Sequence, residues 1–214
     1  MYALVRNFLL INWLAIIQGI AGIWVAIIAT IALNTWKRQI KAHKHIEFLD
    51  ELTDTIHNFI LSMSEPITHL EFTKIGIDCY AGIHNEPEDM KNPEAVAFIK
   101  KCGKSTRDDI RECLTAARTI LSKMNSLVAK GQIFGIDNYS QCQEACRMLE
   151  WSYNQIEAFF SIIGRQHLNW YNPKVQSALE KVLLVNPEDI KNNLTQQNTN
   201  FLLFAKQAHT KILK

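Results

Sequence analysis

Residues 8–33 read FLLINWLAIIQGIAGIWVAIIATIAL, a run of 26 residues without a charged side chain. As an α-helix this run is about 39 Å long, which exceeds the ~30 Å hydrocarbon core of a bilayer. The run is too long for the apolar part of a cleaved signal peptide, and only Arg6 precedes it with a charge. We therefore predict a retained single-pass transmembrane anchor that spans the bilayer at about residues 8–33.

Basic residues follow the apolar run directly, at Lys37, Arg38, Lys41 and Lys44. Because basic side chains are retained on the cytoplasmic side of a membrane, they predict an N-terminus outside and a cytoplasmic C-terminal domain. We expect a protein of the cell inner membrane with this topology. The same four side chains are candidates for contact with anionic lipid headgroups.

Small and amide side chains recur along the anchor at steps of three and four residues, which draws one stripe along one face of a helix. Small residues let helices approach closely in lipid, and an amide in hydrocarbon favours a partner on a neighbouring helix. We predict self-association through this face, as a packed dimer or as a larger ring around a polar path. Alternatively, the stripe only reflects the abundance of Gly and Ala in membrane helices. Its residues are Asn12, Ala15, Gly19, Gly22, Ala26 and Ala29, with Gln18 beside them.

The predicted helix continues beyond the membrane, because neither glycine nor proline occurs between Trp36 and Ser64. Apolar residues in this segment again repeat at steps of three and four. Pro66 disfavours helix at the residue before it, so we predict an end or a kink near residue 64. The repeated side chains form either a short coiled coil or a face packed against the protein's own bundle. They are His45, Leu49, Leu52, Ile56, Phe59 and Met63.

Three Asn-Pro pairs indicate helix starts, because Asn is a favoured cap and Pro suits the first helical position. The pairs are Asn92-Pro93, Asn172-Pro173 and Asn186-Pro187. A further start is predicted at Ser105 or Thr106, where a hydroxyl can cap a helix that Gly131 ends. The predicted helices cover about 93–102, 106–130, 138–166, 173–185 and 187–213, and the ambiguous segment 67–84 is also assigned to helix.

The predicted fold class is all-α: a single-pass N-terminal transmembrane helix that continues into a cytoplasmic bundle of five or six helices. The predicted domains are a membrane anchor at 1–35, a long juxtamembrane helix at 36–64 and the bundle at 65–214. With 8 Gly and 5 Pro in 214 residues, the composition suits long helices. The net charge of +2 gives no signature of direct nucleic-acid binding.

The sequence contains no catalytic signature, and we expect a non-enzymatic protein without a cofactor or a metal. Its five cysteines are scattered over helical segments, which is typical of reduced, buried thiols. Cys142 and Cys146 share a helix face and have a spacing that can hold a metal. Neither His84 nor His167 stands at a spacing that would complete a structural zinc site.

Two functions from different classes fit these features. In the first, the protein is a toxin-like effector of a stress or phage-defence (antiviral) system, whose membrane helices assemble under control of the cytoplasmic domain. In the second, it is a membrane-tethered scaffold or adaptor that recruits a cytoplasmic protein. Both imply the lipid bilayer and a protein partner, and the first also implies a homo-oligomer. We expect most of the aromatic residues in the core, but Trp170 and Tyr171 precede a helix start and are also candidates for an exposed partner surface.

Overall fold

The structure, a computed structural model, describes residues 2–83 and 90–212, and in the first helix it describes the side chains of Trp13 and of Ile16 onward. Every regular element in this part of the chain is a helix, which confirms the all-α prediction. The elements are α1 (Tyr2–Ser62), α2 (Ser64–Asp78), α3 (Pro93–Gly131), a 3₁₀ helix (Gln132–Phe134), α4 (Tyr139–Ile163), α5 (Pro173–Leu183) and α6 (Pro187–Ile212).

The chain divides into two compact units, Met1–Glu47 and Phe48–Lys214. In the first unit, the side chains of residues 16–33 are all exposed. This part of α1 is the one segment among the described residues that is long and apolar enough to cross a membrane. The segment qualifies by its length and its apolar composition, two properties that a signal sequence near an N-terminus shares.

The second unit is a helical bundle with α4 at its centre. α4 packs against α3, α5 and α6, while α2 packs against α3 and α6. The stripe residues that belong to this unit are buried in its core, which favours bundle packing over a coiled coil; they are Leu49, Leu52, Ile56, Phe59 and Met63. The largest fully buried side chains include Phe59, Tyr153, Phe159, Phe160, Phe201 and Phe204.

Proline begins three of the helices, as the sequence predicts, but the preceding asparagines differ. The Asn172 side chain accepts a hydrogen bond from Lys174 N at 2.9 Å, and Asn186 accepts one from Glu188 N at 3.1 Å. Asn92 makes no such cap bond and adopts a left-handed conformation with φ of 51°. Asn tolerates this region better than other residues with a side chain do.

The predicted break in the third helix is wrong, because α3 is continuous across Gly103, Ser105 and Thr106. The Ser105 and Thr106 hydroxyls donate back to the carbonyl of Cys102, at 2.8 and 3.0 Å, instead of capping a new helix. Gly103 is buried, and a Cβ at this position would overlap the carbonyl oxygen of Ile163. The glycine therefore serves the close approach of α3 to the end of α4, not a turn.

The predicted end of α1 is close to the observed one, since α1 ends at Ser62 and α2 begins at Ser64. Pro66 lies in the first turn of α2, where its missing N–H leaves no helical hydrogen bond unmade. Farther along α2, Lys74 donates to the carbonyls of Leu183 and Val185, at 2.8 and 2.7 Å. Burial lowers the pKa of Lys74, while Asp78 opposes that effect.

Candidate functional site

The predicted association face of the anchor is open on α1. Apart from the backbone of α1 itself and the adjacent residues, no described heavy atom lies within 4 Å of a Cβ built at Gly19 or Gly22, and Gln18, Ala26 and Ala29 are exposed. The side chains of Asn12 and Ala15, which the prediction also includes, lie outside the described residues. The described part of this face is therefore open to solvent at both glycines.

Polar side chains in the apolar helix differ in whether they have a hydrogen-bond partner. The hydroxyls of Thr30 and Thr35 donate to carbonyls one turn earlier, Ala26 O at 2.8 Å and Ile31 O at 2.9 Å. Gln18 is exposed, and its amide has no hydrogen-bond partner within the part of the chain that the structure describes. An unpaired amide costs about 2–7 kcal/mol in an apolar medium, so Gln18 gains most from a partner outside this chain.

The four basic residues after the anchor are exposed on the continuing helix. Lys37, Lys41 and Lys44 share a face at steps of four and three, and Arg38 lies beside them. None of the four forms an ion pair with an acidic group among the described residues. Their charges are therefore available to an external anionic surface.

The two residues considered for a partner surface, Trp170 and Tyr171, lie in different environments. Tyr171 is exposed, but Trp170 is only 4% exposed and belongs to the core. The short loop before α5 folds the indole inward, and its N–H has no partner among the described residues. Tyr171 alone does not make an aromatic docking surface.

A groove between α3 and α4 is a site that the sequence analysis missed. It has a volume of about 490 Å³, and Arg107, Arg111 and Arg118 line its α3 side. Arg118 pairs with Glu157 and also donates from Nε to the Tyr153 hydroxyl at 3.2 Å. The three arginines follow one another at steps of four and seven, which is a one-face pattern that a search for charged stripes would find.

Packing at the end of α4 positions the first of these arginines. The aliphatic stem of Arg107 lies against Gly164, where a Cβ would overlap it. Its guanidinium approaches Asp108 at 3.8 Å, whereas Arg111 has no ion pair among the described residues. Arg111 is therefore the cation of this groove most accessible to an acidic ligand.

Cys142 and Cys146 are both buried thiols in the described structure, as the sequence predicts. The hydrogen bond with Cys142, followed by burial, raises the pKa of Cys146, which keeps the thiol protonated. Tyr139, next to this pair, donates to Val128 O at 2.8 Å, and burial raises its pKa. His167 is exposed and His84 lies outside the described residues, so no metal site forms here within the described part.

Potential metal ligands converge elsewhere, between α2 and α3. Glu65 and His69 lie one turn apart on α2, with Oε1 and Nε2 separated by 4.0 Å. Cys113 of α3 completes a group whose three donor atoms lie within 4.8 Å of one another. Burial raises the pKa of Cys113, and the carboxylate of Glu65 adds to that effect.

Comparison of the chain with protein-family models, with curated proteins and with solved structures gave no match.

Proposed function

We propose that this chain is a non-enzymatic inner-membrane protein that is anchored by residues 8–33 and self-associates through that helix. Its N-terminus lies outside and its helical bundle lies in the cytoplasm. The observation that carries this proposal is an exposed apolar helix on which no other described side chain covers the two glycines. The unpaired amide of Gln18 on the same helix gains a hydrogen bond when a second copy packs against it.

Charge segregation supports the proposed topology. Residues 1–46 contain five basic and no acidic side chains, so the remaining 168 residues carry a net charge of −3 within the total of +2. Four of the five basic residues follow the apolar run, which favours a cytoplasmic position for what comes after it. Each basic side chain near an anionic leaflet contributes about 1 kcal/mol of attraction.

Self-association is tested by the mass of the detergent-solubilised protein. Gly19→Ile with Gly22→Ile places bulk on the proposed contact face, where a Cβ at either position meets no other described side chain. We expect this variant to be monomeric while the wild type is oligomeric. Ala21→Ile is the control, because it places an isoleucine on another face of the same helix. An unchanged oligomer in the double variant would reject the proposed interface.

The proposed output of assembly is a perturbed inner membrane, as in a toxin-like effector of stress or phage defence. We expect induced wild-type protein to depolarise cells loaded with a potential-sensitive dye. The Gly19→Ile, Gly22→Ile variant should not, whereas Ala21→Ile should behave as the wild type does. Intact membrane potential during wild-type expression, with and without phage infection, would reject the effector output and leave self-association to be judged by mass.

A second candidate function is a membrane-tethered adaptor that recruits an acidic cytoplasmic protein. The observation that favours it is the groove lined by Arg107, Arg111 and Arg118, which complements a carboxylate-rich segment. We expect the full chain in detergent to bind a labelled oligoglutamate peptide in a salt-sensitive manner. Arg111→Glu should abolish binding, and Lys206→Glu, an exposed charge reversal on α6, should not. Equal effects of the two reversals would reject the groove as the docking site.

The two functions also differ in their demand on the anchor. An adaptor needs residues 8–33 only as a tether, so an unrelated membrane helix in their place should preserve peptide binding and recruitment. An oligomerising effector should lose both its oligomeric mass and its effect on membrane potential in the same exchange.

A further inference from the structure

The group formed by Glu65, His69 and Cys113 combines three kinds of metal donor in one place. Glu65 and His69 stand at i and i+4 on α2, a spacing that puts both side chains on one face of a helix. α2 packs directly against α3, and this packing brings the Cys113 thiol to that face. The cysteine lies 44 positions beyond the histidine in the sequence, so only the fold brings the group together.

The distances suit a small cation with short bonds. Zn²⁺ binds thiolate at about 2.3 Å and imidazole or carboxylate at about 2.0–2.2 Å, so tetrahedral ligands lie about 3.3–3.8 Å apart. The three donor atoms here are within 4.8 Å of one another, and the Glu65–His69 pair is at 4.0 Å. Reaching these separations requires side-chain movements of at most about 1 Å, and Glu65 and His69 are both partly or largely exposed.

The donor set selects the ion. Thiolate and imidazole favour zinc over magnesium or calcium, which prefer oxygen ligands. The side chain of Glu65 is 69% exposed and that of His69 is 34% exposed, so solvent reaches the site from one side. A fourth ligand therefore comes from water, which is the arrangement of zinc sites with three protein ligands.

The described contacts of these residues leave their ligand atoms available. The Glu65 carboxylate has only the 4.0 Å approach to His69 as an ion pair among the described residues. The Cys113 thiol donates to the carbonyl of Ile110 at 3.0 Å, a bond that thiolate coordination replaces. Nothing in the described packing otherwise requires an acid, an imidazole and a thiol to face one another.

We propose that Glu65, His69 and Cys113 bind one Zn²⁺, with water as the fourth ligand. On binding, the Cys113 thiol releases its proton to solvent and the thiolate sulfur coordinates the ion. The site joins α2 to α3 within the bundle, and it is independent of the anchor and of the groove between α3 and α4.

The test uses the full chain in detergent, freed of metal by a chelator and titrated with Zn²⁺ against a chromophoric competitor. We expect one equivalent to bind. Cys113→Ser and His69→Gln should each weaken binding by at least about 100-fold, since even groups that only orient a ligand are worth about 10–100-fold. With Co²⁺ in place of Zn²⁺, the wild type should show tetrahedral d–d bands and a thiolate-to-cobalt charge-transfer band. The second band should vanish in Cys113→Ser.

Matched controls separate this site from other donors. His43→Gln removes the histidine of a second i, i+4 pair, His43–Glu47 at 3.1 Å. Cys146→Ser removes a buried thiol on α4 instead of α3. Both should retain stoichiometric binding. Wild-type protein that binds no zinc, or binding that survives in Cys113→Ser and His69→Gln alike, would overturn the proposal.

Discussion

At the scale of single residues, Gly103 sets how closely α3 and α4 pack. A Cβ at this position would overlap the carbonyl oxygen of Ile163, and a main-chain atom cannot turn away as a side chain can. We expect Gly103→Ala to destabilise the protein by about 1–3 kcal/mol, as overpacking does, despite the better helix propensity of alanine.

The measurement for Gly103 is thermal unfolding of the full chain in detergent, followed by circular dichroism. A decrease of about 2–12 °C in Tm corresponds to the expected loss in a protein of this size. Ser105→Ala, an exposed change on the same turn, should leave Tm within about 2 °C of the wild type. Equal Tm values for Gly103→Ala and the wild type would show that α3 and α4 separate freely.

The environment of the Tyr139 hydroxyl makes the stability of the protein depend on pH in the alkaline range. Its hydroxyl donates to Val128 O at 2.8 Å, and burial raises its pKa above the ordinary value of 10. The folded state therefore holds this proton more tightly than the unfolded state. Its stabilising contribution is complete below pH 10 and is lost as pH rises above 10 toward the folded-state pKa.

Tyr139→Phe removes both the hydrogen bond and the proton. We expect it to lower stability by about 1 kcal/mol at neutral pH and to flatten the decline above pH 10. Unfolding by urea at a series of pH values measures both effects. Tyr171→Phe, at an exposed position, should change neither, and a decline as steep in Tyr139→Phe as in the wild type would contradict the assignment.

At the scale of elements, the helix starts show which features can be predicted from the local sequence. Each Asn-Pro pair begins a helix at its proline, because a fixed φ and a missing N–H are properties of the proline itself. The conformation of the asparagine before the proline, in contrast, is not determined by the Asn-Pro pair alone. Asn92 is left-handed and makes no cap bond, whereas Asn186 caps α6.

Substitutions at Asn92 and Asn186 should therefore have different effects on stability. Asn186→Ala should cost about 1 kcal/mol, because it removes the acceptor for Glu188 N. Asn92→Gly should be neutral or stabilising, because glycine adopts positive φ without strain. Thermal unfolding of the two variants measures the contrast. Destabilisation by Asn92→Gly equal to that of Asn186→Ala would show that Asn92 caps α3 after all.

Gly103 is a residue whose role cannot be predicted from the neighbouring sequence. Gly103 before Ser105 and Thr106 has the pattern of a helix end followed by a cap, yet α3 runs through all three. The hydroxyls return to the carbonyl of Cys102, and the absent Cβ admits the end of α4. Only the position of a residue 60 places later, Ile163, explains this glycine, and local spacing carries no information about it.

At the scale of the whole molecule, the sequence predicts the all-α class and the apolar helix, since both follow from periodicity within one segment. Contacts between distant segments do not follow from periodicity within one segment, so the sequence does not predict them. For Trp170 the sequence leaves both a core position and an exposed partner surface open. The structure places it in the core, because its burial depends on where the loop before α5 meets the bundle. Glu65 and His69 are a visible one-turn pair, but the approach of Cys113 is a property of packing between helices.

The proposed association face has a most direct test in single cysteines placed along the anchor. The native cysteines begin at Cys79, so the unsubstituted protein reports their background. After oxidation in native membranes, Gly22→Cys, Ala26→Cys and Ala29→Cys should form disulfide-linked dimers on non-reducing gels, and Ala21→Cys and Ala32→Cys should not. Equal cross-linking in the two groups, or none above background in either, would contradict self-association through the stripe.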